Sequence, residues 1–249
     1  MKILSWNCNG ALRKKLDDVN SFDADIVVIQ ECENPSESDL AYQNWSNQYL
    51  WTGEGKNKGI GVFVKKGHKI SDLKWNGTFE ITGLKSNSSS LKWHSSELKL
   101  FLPFMLNDKY IFLAVWTKGK PNQVFDYIGQ FWKYLQIHRT DLANKKTIIL
   151  GDFNSNAIWD RPDRWWNHSE VIKELSEMGI NSVYHYQFRE SQGHESIPTF
   201  YLHRNEAKPY HIDYIFVSDD LIESCKLSIG EKSNWLSKSD HMPLFVDID

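Results

Sequence analysis

The chain has 249 residues, of which 41% are hydrophobic and 14% are aromatic. This composition excludes a disordered protein, because a chain with so much apolar surface can bury a large core. The 29 Lys and Arg residues nearly balance the 32 Asp and Glu residues, so the formal charge is −3 and the chain has no general basic footprint for nucleic acid. The length predicts one domain over residues 1–249.

The sequence carries no pattern typical of membrane or secreted proteins. Its longest uncharged apolar stretch, from Tyr110 to Trp116, is far shorter than the roughly 20 residues that span a bilayer. The first residues, MKILSWNCNG, lack the apolar core of a secretory peptide. Cys8, Cys32 and Cys225 are odd in number and far apart, which indicates neither a disulfide framework nor a paired metal motif. We therefore expect a cytoplasmic protein without a membrane partner.

Strand patterns dominate the chain. The first two, KILSW and DIVVIQE, enclose Leu12, Leu16 and Val19 at helical spacing, which predicts a β-α-β unit. Similar apolar or β-branched runs, each bounded by turn residues, predict further strands at GIGVFVKK, KLFLPFML, KYIFLAVW, KKTIILGD, PYHIDYIFVS and HMPLFVDI. The strings ILSWNCNG and IILGDFNSN both end in an Asn-rich turn, which hints at an internal duplication.

Two segments have the spacing of amphipathic helices. The apolar stripe of the first is Val124, Ile128, Phe131 and Leu135. The stripe of the second is Val171, Ile172, Leu175 and Met178. Gly179 follows the second stripe and is a natural end for that helix. Runs of strands with a few helices between them, long enough for two sheets, predict an α/β sandwich.

Acidic and amide side chains and one histidine stand where the predicted strands meet loops. They are Asn7, Glu31, Asp152, Asn154, Asp213, Asp240 and His241. Because strand ends converge on ligand crevices in α/β sheets, these side chains can form one oxygen-rich pocket. Mg²⁺ prefers such oxygen ligands, and Glu31 and Asp240 suit it better than they suit a soft zinc site.

The strings SWNCNG, IQE, GDFNSN, HIDY and SDH, taken in order, resemble the endonuclease/exonuclease/phosphatase superfamily, which includes exonuclease III, abasic-site endonucleases and deoxyribonuclease I. The resemblance runs from Ser5 to His241. It implies a four-layer α/β/β/α sandwich of two packed mixed β-sheets flanked by helices. It also implies hydrolysis of phosphate esters with a divalent metal, Mg²⁺ or alternatively Mn²⁺, held by Glu31 with Asn7 and Asp240 as ligands or close partners.

The same resemblance implies the catalytic roles. Asp152 would orient and deprotonate the attacking water, and Asn154 would hydrogen-bond the phosphate or position Asp152. His241, held by Asp213, would contact a non-bridging phosphate oxygen. These parts suit the chemistry, because a phosphodiester transition state gains negative charge and needs a cation, a donor and an in-line water with a base.

One position departs from the family pattern. On the strand FLAVWTKG the family usually places a Tyr or His near the phosphate or leaving group, whereas this chain has Trp116. An indole N–H can donate a hydrogen bond but cannot transfer a proton, so the leaving group would need another proton source. Thr117, Lys118 or Asn122 could contact phosphate from the same loop.

The segment DRPDRWWNHSE, which follows GDFNSN, could form a wall for the substrate. Bases would stack on its tryptophans and phosphates would meet its arginines, which are Trp165, Trp166, Arg161 and Arg164. The candidate substrate contacts are Trp116, Arg164, Trp166 and His168. Asn167 and Glu170 instead match an N-cap and its N3 partner for the next helix, and we favour capping for Asn167.

A run of lysines surrounds the predicted strand GIGVFVKK. Its members are Lys56, Lys58, Lys65, Lys66 and Lys69. Such a run could follow a nucleic-acid backbone, or it could simply prevent edge-to-edge pairing of the strand. Cys8 and Cys32 are expected to be buried small side chains near the site.

The function that the resemblance implies is divalent-metal-dependent hydrolysis of phosphodiester bonds by in-line attack of water. The favoured substrate is DNA, cut as an endonuclease or 3′-exonuclease. The alternative is a phosphoesterase for a small molecule such as a nucleotide, an inositol phosphate or a phospholipid headgroup. No obligate protein partner is expected. A binding module that has lost activity is disfavoured, because Glu31, Asp152, Asn154, Asp213 and His241 are all present.

Overall fold

The computed structural model describes residues 1–65, 67–83, 85, 88, 91–119, 124–144 and 146–249. Its strands, numbered along the chain, are β1 (Lys2–Asn7), β2 (Ile26–Cys32), β3 (Gln48–Gly53), β4 (Gly59–Val64), β5 (Ile70–Asp72), β6 (Thr78–Glu80), β7 (Lys92–His94), β8 (Phe101–Leu106), β9 (Tyr110–Trp116), β10 (Thr147–Asp152), β11 (Ile180–Ser182), β12 (Phe200–Tyr201), β13 (Pro209–Tyr210), β14 (Asp213–Ser218), β15 (Cys225–Ile229) and β16 (Leu244–Ile248).

Helices connect many of these strands. The α-helices are α1 (Leu16–Asn20), α2 (Leu40–Ser46), α3 (Ile128–Leu142), α4 (His168–Glu177), α5 (Val183–Phe188), α6 (Asp219–Ile222) and α7 (Lys232–Trp235). Short 3-10 turns occupy Leu12–Lys14, Pro35–Glu37, Ser95–Glu97, Ala157–Trp159 and Leu202–Arg204. Within the described ranges, no helix combines the length and the apolar character that crossing a membrane requires.

Two mixed sheets form the centre of the molecule. The first sheet has the order β15-β16-β1-β2-β4-β3, and the second has the order β11-β14-β10-β9-β8-β5. In the first sheet β1 runs parallel to β2 and antiparallel to β16, and in the second β10 runs parallel to β9 and antiparallel to β14. The strands β1 and β10, which contain the two similar sequence strings, therefore each have one parallel and one antiparallel neighbour. The predicted β-α-β unit and the sandwich of two mixed sheets are both confirmed.

Three apolar layers hold the sheets and helices together, because successive side chains of a strand point to opposite faces. Ile148 and Leu150 of β10 join the core between the two sheets, whereas Ile149 packs on the outer side with residues of α3 and α4. In the same way Ile3 of β1 faces the other sheet, and Leu4 packs outward with residues that include Trp235 of α7. The alternation produces the helix, sheet, sheet, helix order of the expected sandwich.

The structure differs from the sequence prediction at three elements. The first predicted helix is divided into the 3-10 turn and α1, after Ala11 adopts a left-handed conformation with φ 54°. Val124 lies before α3 and is 57% exposed, so it does not belong to the apolar stripe of that helix. The predicted strand PYHIDYIFVS is interrupted at His211 and Ile212, where the Ile212 carbonyl accepts a hydrogen bond from the Phe153 N–H at 3.0 Å instead of continuing β13.

Gly151, the residue before the end of β10, gives a test of this packing. Its φ is +144°, and a Cβ atom there would lie 1.9 Å from the Val115 carbonyl oxygen on β9. We expect Gly151→Ala to lower the free energy of unfolding by at least about 3 kcal/mol in urea denaturation, because the two strands would have to separate. The matched control is Gly55→Ala, where φ is +73° and nothing lies within 4 Å of the added atom. The control should cost only about 1 kcal/mol, and equal losses for the two variants would contradict the account.

Candidate active site

The Asp152 carboxylate lies at the centre of the site, at the end of β10, and the residue is only 1% exposed. Its Oδ1 accepts the Asn154 backbone N–H at 2.9 Å. Its Oδ2 accepts amide N–H groups from Asn7 at 2.9 Å and from Asn154 at 2.8 Å. Three donors therefore fix both oxygens of a buried carboxylate, as the cost of burying a charged group requires.

The turn after β10 sets the position of Asn154. Its φ is 45°, a left-handed conformation that Asn tolerates better than most residues. The Asn154 side-chain amide also donates to the Thr117 carbonyl at 3.1 Å, and the Thr117 N–H donates to the Asp152 carbonyl at 3.0 Å. The turn is thus tied to the residue that follows β9, and Asn154 is held against Asp152.

His241 and Asp213 form a buried pair beside Asp152. The two Asp213 oxygens lie 2.9 Å and 3.1 Å from His241 Nδ1, so this nitrogen donates and carries a proton. His241 Nε2 consequently points toward Asp152, with 3.9 Å between Nε2 and Oδ2. The backbone N–H of Asp213 donates to Thr199 Oγ1 at 3.0 Å, and that of His241 donates to Ser239 Oγ at 3.0 Å. Both members of the pair are therefore fixed at the backbone as well.

The protonation of the pair follows from its surroundings. Burial lowers the pKa of His241, but the negative charges of Asp213 and then Asp152 outweigh this effect and raise the pKa to about 9. Burial raises the pKa of Asp152 to about 7, against the opposing effects of His241 and of the Asn7 hydrogen bond. At neutral pH the site therefore contains an imidazolium beside a carboxylate that is close to its own titration point.

Glu31 and Asn7 lie on the other side of Asp152, at the end of the first sheet. Glu31 is at a bulge in β2 with φ 63°, and its side chain is 18% exposed. The Asn7 amide that bonds Asp152 also lies 3.4 Å from Glu31 Oε1. Glu31 Oε2 forms an ion pair with Lys58. Asp240 is joined to this group indirectly, through Asn9. Asp240 Oδ1 accepts a hydrogen bond from Asn9 Nδ2 at 2.8 Å, and the backbone N–H of Asn9 donates to Asn7 Oδ1 at 3.0 Å.

Two groups of side chains could hold a divalent cation. Asp152, Asp213 and His241 have ligand atoms within 4.8 Å of one another and are all buried. That group suits a cation poorly while His241 is protonated, because the imidazolium repels positive charge. The Glu31 carboxylate, which is partly open to solvent, offers oxygen ligands of the kind that Mg²⁺ prefers, and the Asn7 amide lies beside it as a hydrogen-bond donor. The donor set at Glu31 therefore fits a hard divalent cation better.

Three of the four candidate substrate contacts lie together. Arg164, Trp166 and His168 line a cavity of about 360 Å³ that borders the site at Asn154. Trp116 is not among the described residues that line this cavity. It pairs with Asp152 across β9 and β10, is 3% exposed, and has Lys118 Nζ at 3.7 Å from the centre of its ring. Asn122, another candidate from that loop, lies outside the described residues.

His168 has internal partners for both ring nitrogens. Nδ1 lies 3.2 Å from Ser155 Oγ and Nε2 lies 3.0 Å from Gln192 Oε1. Burial lowers the pKa of His168 to about 4, so the ring is neutral near pH 7. His168 therefore forms part of the wall of the cavity and does not supply a charge to it.

The prediction that the Asn167 side chain caps α4 is wrong. Asn167 precedes α4, but its side chain accepts from the Arg161 N–H at 3.0 Å and donates to the Arg161 and Arg164 carbonyls. The start of α4 is capped instead by Asp160, whose two oxygens accept the N–H groups of His168 at 2.8 Å and of Ser169 at 3.1 Å. Asn167 thus stabilises the loop that carries Arg164.

The described members of the lysine run do not form one surface. Lys56 and Lys58 precede β4 and Lys65 follows it, so the two ends of the run are about 20 Å apart. Lys65 lies over the Trp45 ring at 4.3 Å, and Lys69 pairs with Asp108 at 3.3 Å. Lys66 lies outside the described residues. Lys58 reaches the site because Cys32 of β2 pairs with Gly59 of β4. This pairing brings their neighbours Glu31 and Lys58 together.

A buried polar network lies behind the cavity, in a segment where the sequence shows no motif. Glu195, with a side chain 3% exposed, lies 3.1 Å from His185 Nε2 and accepts Asn156 Nδ2 at 3.0 Å. Burial raises the pKa of Glu195, but the hydrogen bonds from His185 and Asn156 outweigh it and lower the pKa to about 2. Gln192 then joins His185 to His168. The network fixes Asn156, two residues beyond Asn154.

The two cysteines near the site are inert, as expected. Cys8 and Cys32 are fully buried. Burial raises the pKa of the Cys8 thiol to about 12 and that of Cys32 well above its usual range. Neither thiol is a nucleophile at neutral pH.

Comparisons with known proteins bear on the family and the fold of the chain. A model of the Endonuclease/Exonuclease/phosphatase family matches residues 4–241. A sequence comparison with curated proteins gave no significant match. Similar solved structures include the 3′ phosphatase NExo from Neisseria bound to a product DNA hairpin, with a TM-score of 0.69 and 18% identity over 100% of this chain and 99% of that one.

Two further solved structures have the same architecture. An AP endonuclease from Archaeoglobus fulgidus has a TM-score of 0.68 and 18% identity, covering 100% of this chain and 99% of its own. The catalytic domain of APE2 from Xenopus laevis has a TM-score of 0.64 and 16% identity, covering 100% of this chain and 91% of its own. At such identities these likenesses establish a shared fold.

The charge on His241 gives a direct test of the site. We expect Asp213→Asn to lower the pKa of His241 by more than about one unit, because the amide keeps the hydrogen bond but removes the nearest negative charge. The measurement is an NMR titration of the imidazole in metal-free buffer, with the His241 signal assigned by its loss in His241→Asn. The control is Asp240→Asn, since Asp240 raises the pKa of His241 less than Asp213 does. An unchanged pKa in Asp213→Asn would refute this electrostatic account.

Proposed function

The chain belongs to the endonuclease/exonuclease/phosphatase family, and on that premise we propose that it hydrolyses phosphodiester bonds with a divalent metal. One observation carries the proposal. The Asp152 carboxylate, fixed by three N–H donors, lies 3.9 Å from an imidazole nitrogen that has the Asp213 carboxylate behind it. A base and a cation are thereby placed side by side, which is what attack of water on an anionic phosphate needs.

Each side chain then has a step in the reaction. Asp152 accepts a proton from water as the water oxygen bonds to phosphorus and the ester oxygen leaves on the opposite side. His241 donates its Nε2–H to a non-bridging phosphate oxygen, where negative charge increases in the transition state. Asn7 and Asn154 keep Asp152 turned toward the water. The Trp116 indole cannot protonate the leaving oxygen, so that oxygen departs as an anion and takes its proton from water.

Mg²⁺ is the cofactor we favour, with Mn²⁺ as a substitute. Glu31, with Asn7 beside it, would hold the ion, and Asp240 would support this group through Asn9. When bound, the ion supplies positive charge close to the phosphate. Lys58, already paired with Glu31, would keep the carboxylate in place in its absence.

DNA is the substrate that we favour. The cavity beside Asn154 has aromatic walls and the Arg164 guanidinium at its border, a combination suited to a nucleotide. A phosphoesterase for a small phosphorylated molecule is the second candidate, because those lysines of the run that the structure describes are divided between distant places and form no track for a long backbone. A DNA oligonucleotide and a small chromogenic phosphodiester distinguish the two candidates.

Asp152→Asn is the variant that tests the mechanism. The change is nearly isosteric and removes the base, so hydrolysis should fall by at least about 10³-fold while the circular dichroism spectrum stays unchanged. EDTA should abolish the wild-type activity and Mg²⁺ should restore it. The matched control, Asp17→Asn, alters an exposed carboxylate on α1 and should keep full activity. Near-normal turnover by pure Asp152→Asn protein, or turnover that EDTA leaves intact, would contradict the proposal.

A further inference from the structure

The ion pair between Lys58 and Glu31 places a positive charge on the candidate metal ligand. The Lys58 ammonium pairs with Glu31 Oε2, and the other carboxylate oxygen, Oε1, has the Asn7 amide 3.4 Å away. The Glu31 side chain is 18% exposed and the Lys58 side chain is 51% exposed. Each oxygen of the carboxylate therefore faces a hydrogen-bond donor, and one of the two donors is charged.

The backbone brings Lys58 to this position. Glu31 is the extra residue of a bulge in β2, where the register with β4 shifts, and Lys58 is the last residue before β4. The Asn34 N–H donates to the Lys56 carbonyl at 2.8 Å, which ties the turn between β3 and β4 to the segment that follows β2. The strand register and this hydrogen bond therefore hold the two charged residues beside each other.

The neighbouring charges are already neutralised. Glu33, the next acidic residue after Glu31, accepts the Leu12 N–H at 2.8 Å and pairs with Arg13. Within the described ranges of the chain, Lys58 forms no second ion pair and Glu31 pairs with no second cationic side chain. The pair is therefore a unit of its own, in which one positive charge balances one negative charge.

A metal cation and Lys58 would compete for the same carboxylate. A cation that binds Glu31 Oε2 has to displace the ammonium, and one that binds beside it is repelled, because charges a few ångströms apart in a partly buried site interact strongly. A singly charged ion only replaces one unit of charge by another. A divalent ion adds net positive charge next to the Asp152 carboxylate, so it gains more from the displacement.

We propose that Lys58 is a built-in counter-ion of Glu31 that a divalent cation has to displace, and that it thereby sets the metal concentration at which the site loads. The charge of Lys58 makes metal binding weaker than Glu31 would otherwise give. Lys58 acts through Glu31 and does not touch the reacting atoms, so it is a positioning residue. This inference rests on the proposed function, because that function includes the metal site at Glu31.

The test is a titration of the metal-free full-length protein with Mn²⁺, followed by the electron paramagnetic resonance signal of the free ion. Lys58→Met removes the charge and keeps a flexible apolar side chain. An exposed ion pair is weak but the ammonium also repels the ion, so Lys58→Met should bind Mn²⁺ at least about threefold more tightly than wild-type protein. Lys58→Arg keeps the charge and should keep the wild-type affinity.

The matched control is Lys56→Met. Lys56 lies two residues earlier in the same turn, is exposed, and forms no ion pair with any residue that the structure describes. Because solvent and salt screen its charge, the Mn²⁺ affinity of Lys56→Met should stay within about twofold of the wild-type value. Equal gains in Lys56→Met and Lys58→Met would overturn the inference, and so would a Lys58→Met protein that binds Mn²⁺ no more tightly than wild type.

Glu31→Gln separates this inference from the proposed function. It should weaken Mn²⁺ binding, and Lys58→Met added to it should give a smaller gain than in wild-type protein, because the pair is already broken. If Glu31→Gln leaves the affinity unchanged, the proposed metal site is wrong and the inference falls with it. If it weakens binding but Lys58→Met alone does not strengthen binding, only the inference is wrong. If all affinities change as expected but no phosphodiester is hydrolysed, the proposed function fails and the counter-ion stands.

Discussion

The hydrogen bond from the Asn7 amide to the Asp152 carboxylate is the interaction on which the rest of the site depends. It is 2.9 Å long and joins the end of β1 in the first sheet to the end of β10 in the second. Because Asp152 is almost completely buried, its charge requires donors, and they can come only from the strands and turns that meet there. The packing of two sheets is therefore also what orients the candidate base.

The second constraint is the balance of charge around His241. Two buried carboxylates, Asp152 and Asp213, share one imidazolium, and their attraction keeps it charged despite burial. An arriving phosphate adds further negative charge, which a lone imidazolium does not balance. Under the proposed function, a divalent cation held at Glu31, on the far side of Asp152, would complete the balance without displacing His241.

The sequence predicted those parts of the structure that are encoded locally. Central strands such as β1 and β10 are continuous apolar runs because both faces are covered, and the polar residues at their ends were recognised. The strands that sequence reasoning missed include β3, β15, β5 and β11, which are the edges of the two sheets. Edge strands are less buried and have shorter apolar runs, so their sequences resemble loops.

Contacts between distant residues were the other part that the sequence could not provide. The cap of α4 comes from Asp160, eight residues before His168, so the adjacent Asn167 was chosen wrongly. The ion pair of Lys58 with Glu31 depends on the register of β2 and β4. The contacts of Glu195 depend on a loop that folds back over the site, and no local spacing indicates them.

Anomalous diffraction from crystals soaked in Mn²⁺ tests the central claim most directly. That claim is that His241 stays a protonated partner of Asp213 and leaves the cation to the oxygen ligands around Glu31. The account predicts a manganese peak within coordinating distance of a Glu31 carboxylate oxygen, with the His241–Asp213 hydrogen bond intact. A peak coordinated by His241 and Asp213 would contradict it, because His241 would then be a neutral metal ligand and could not supply positive charge to the phosphate.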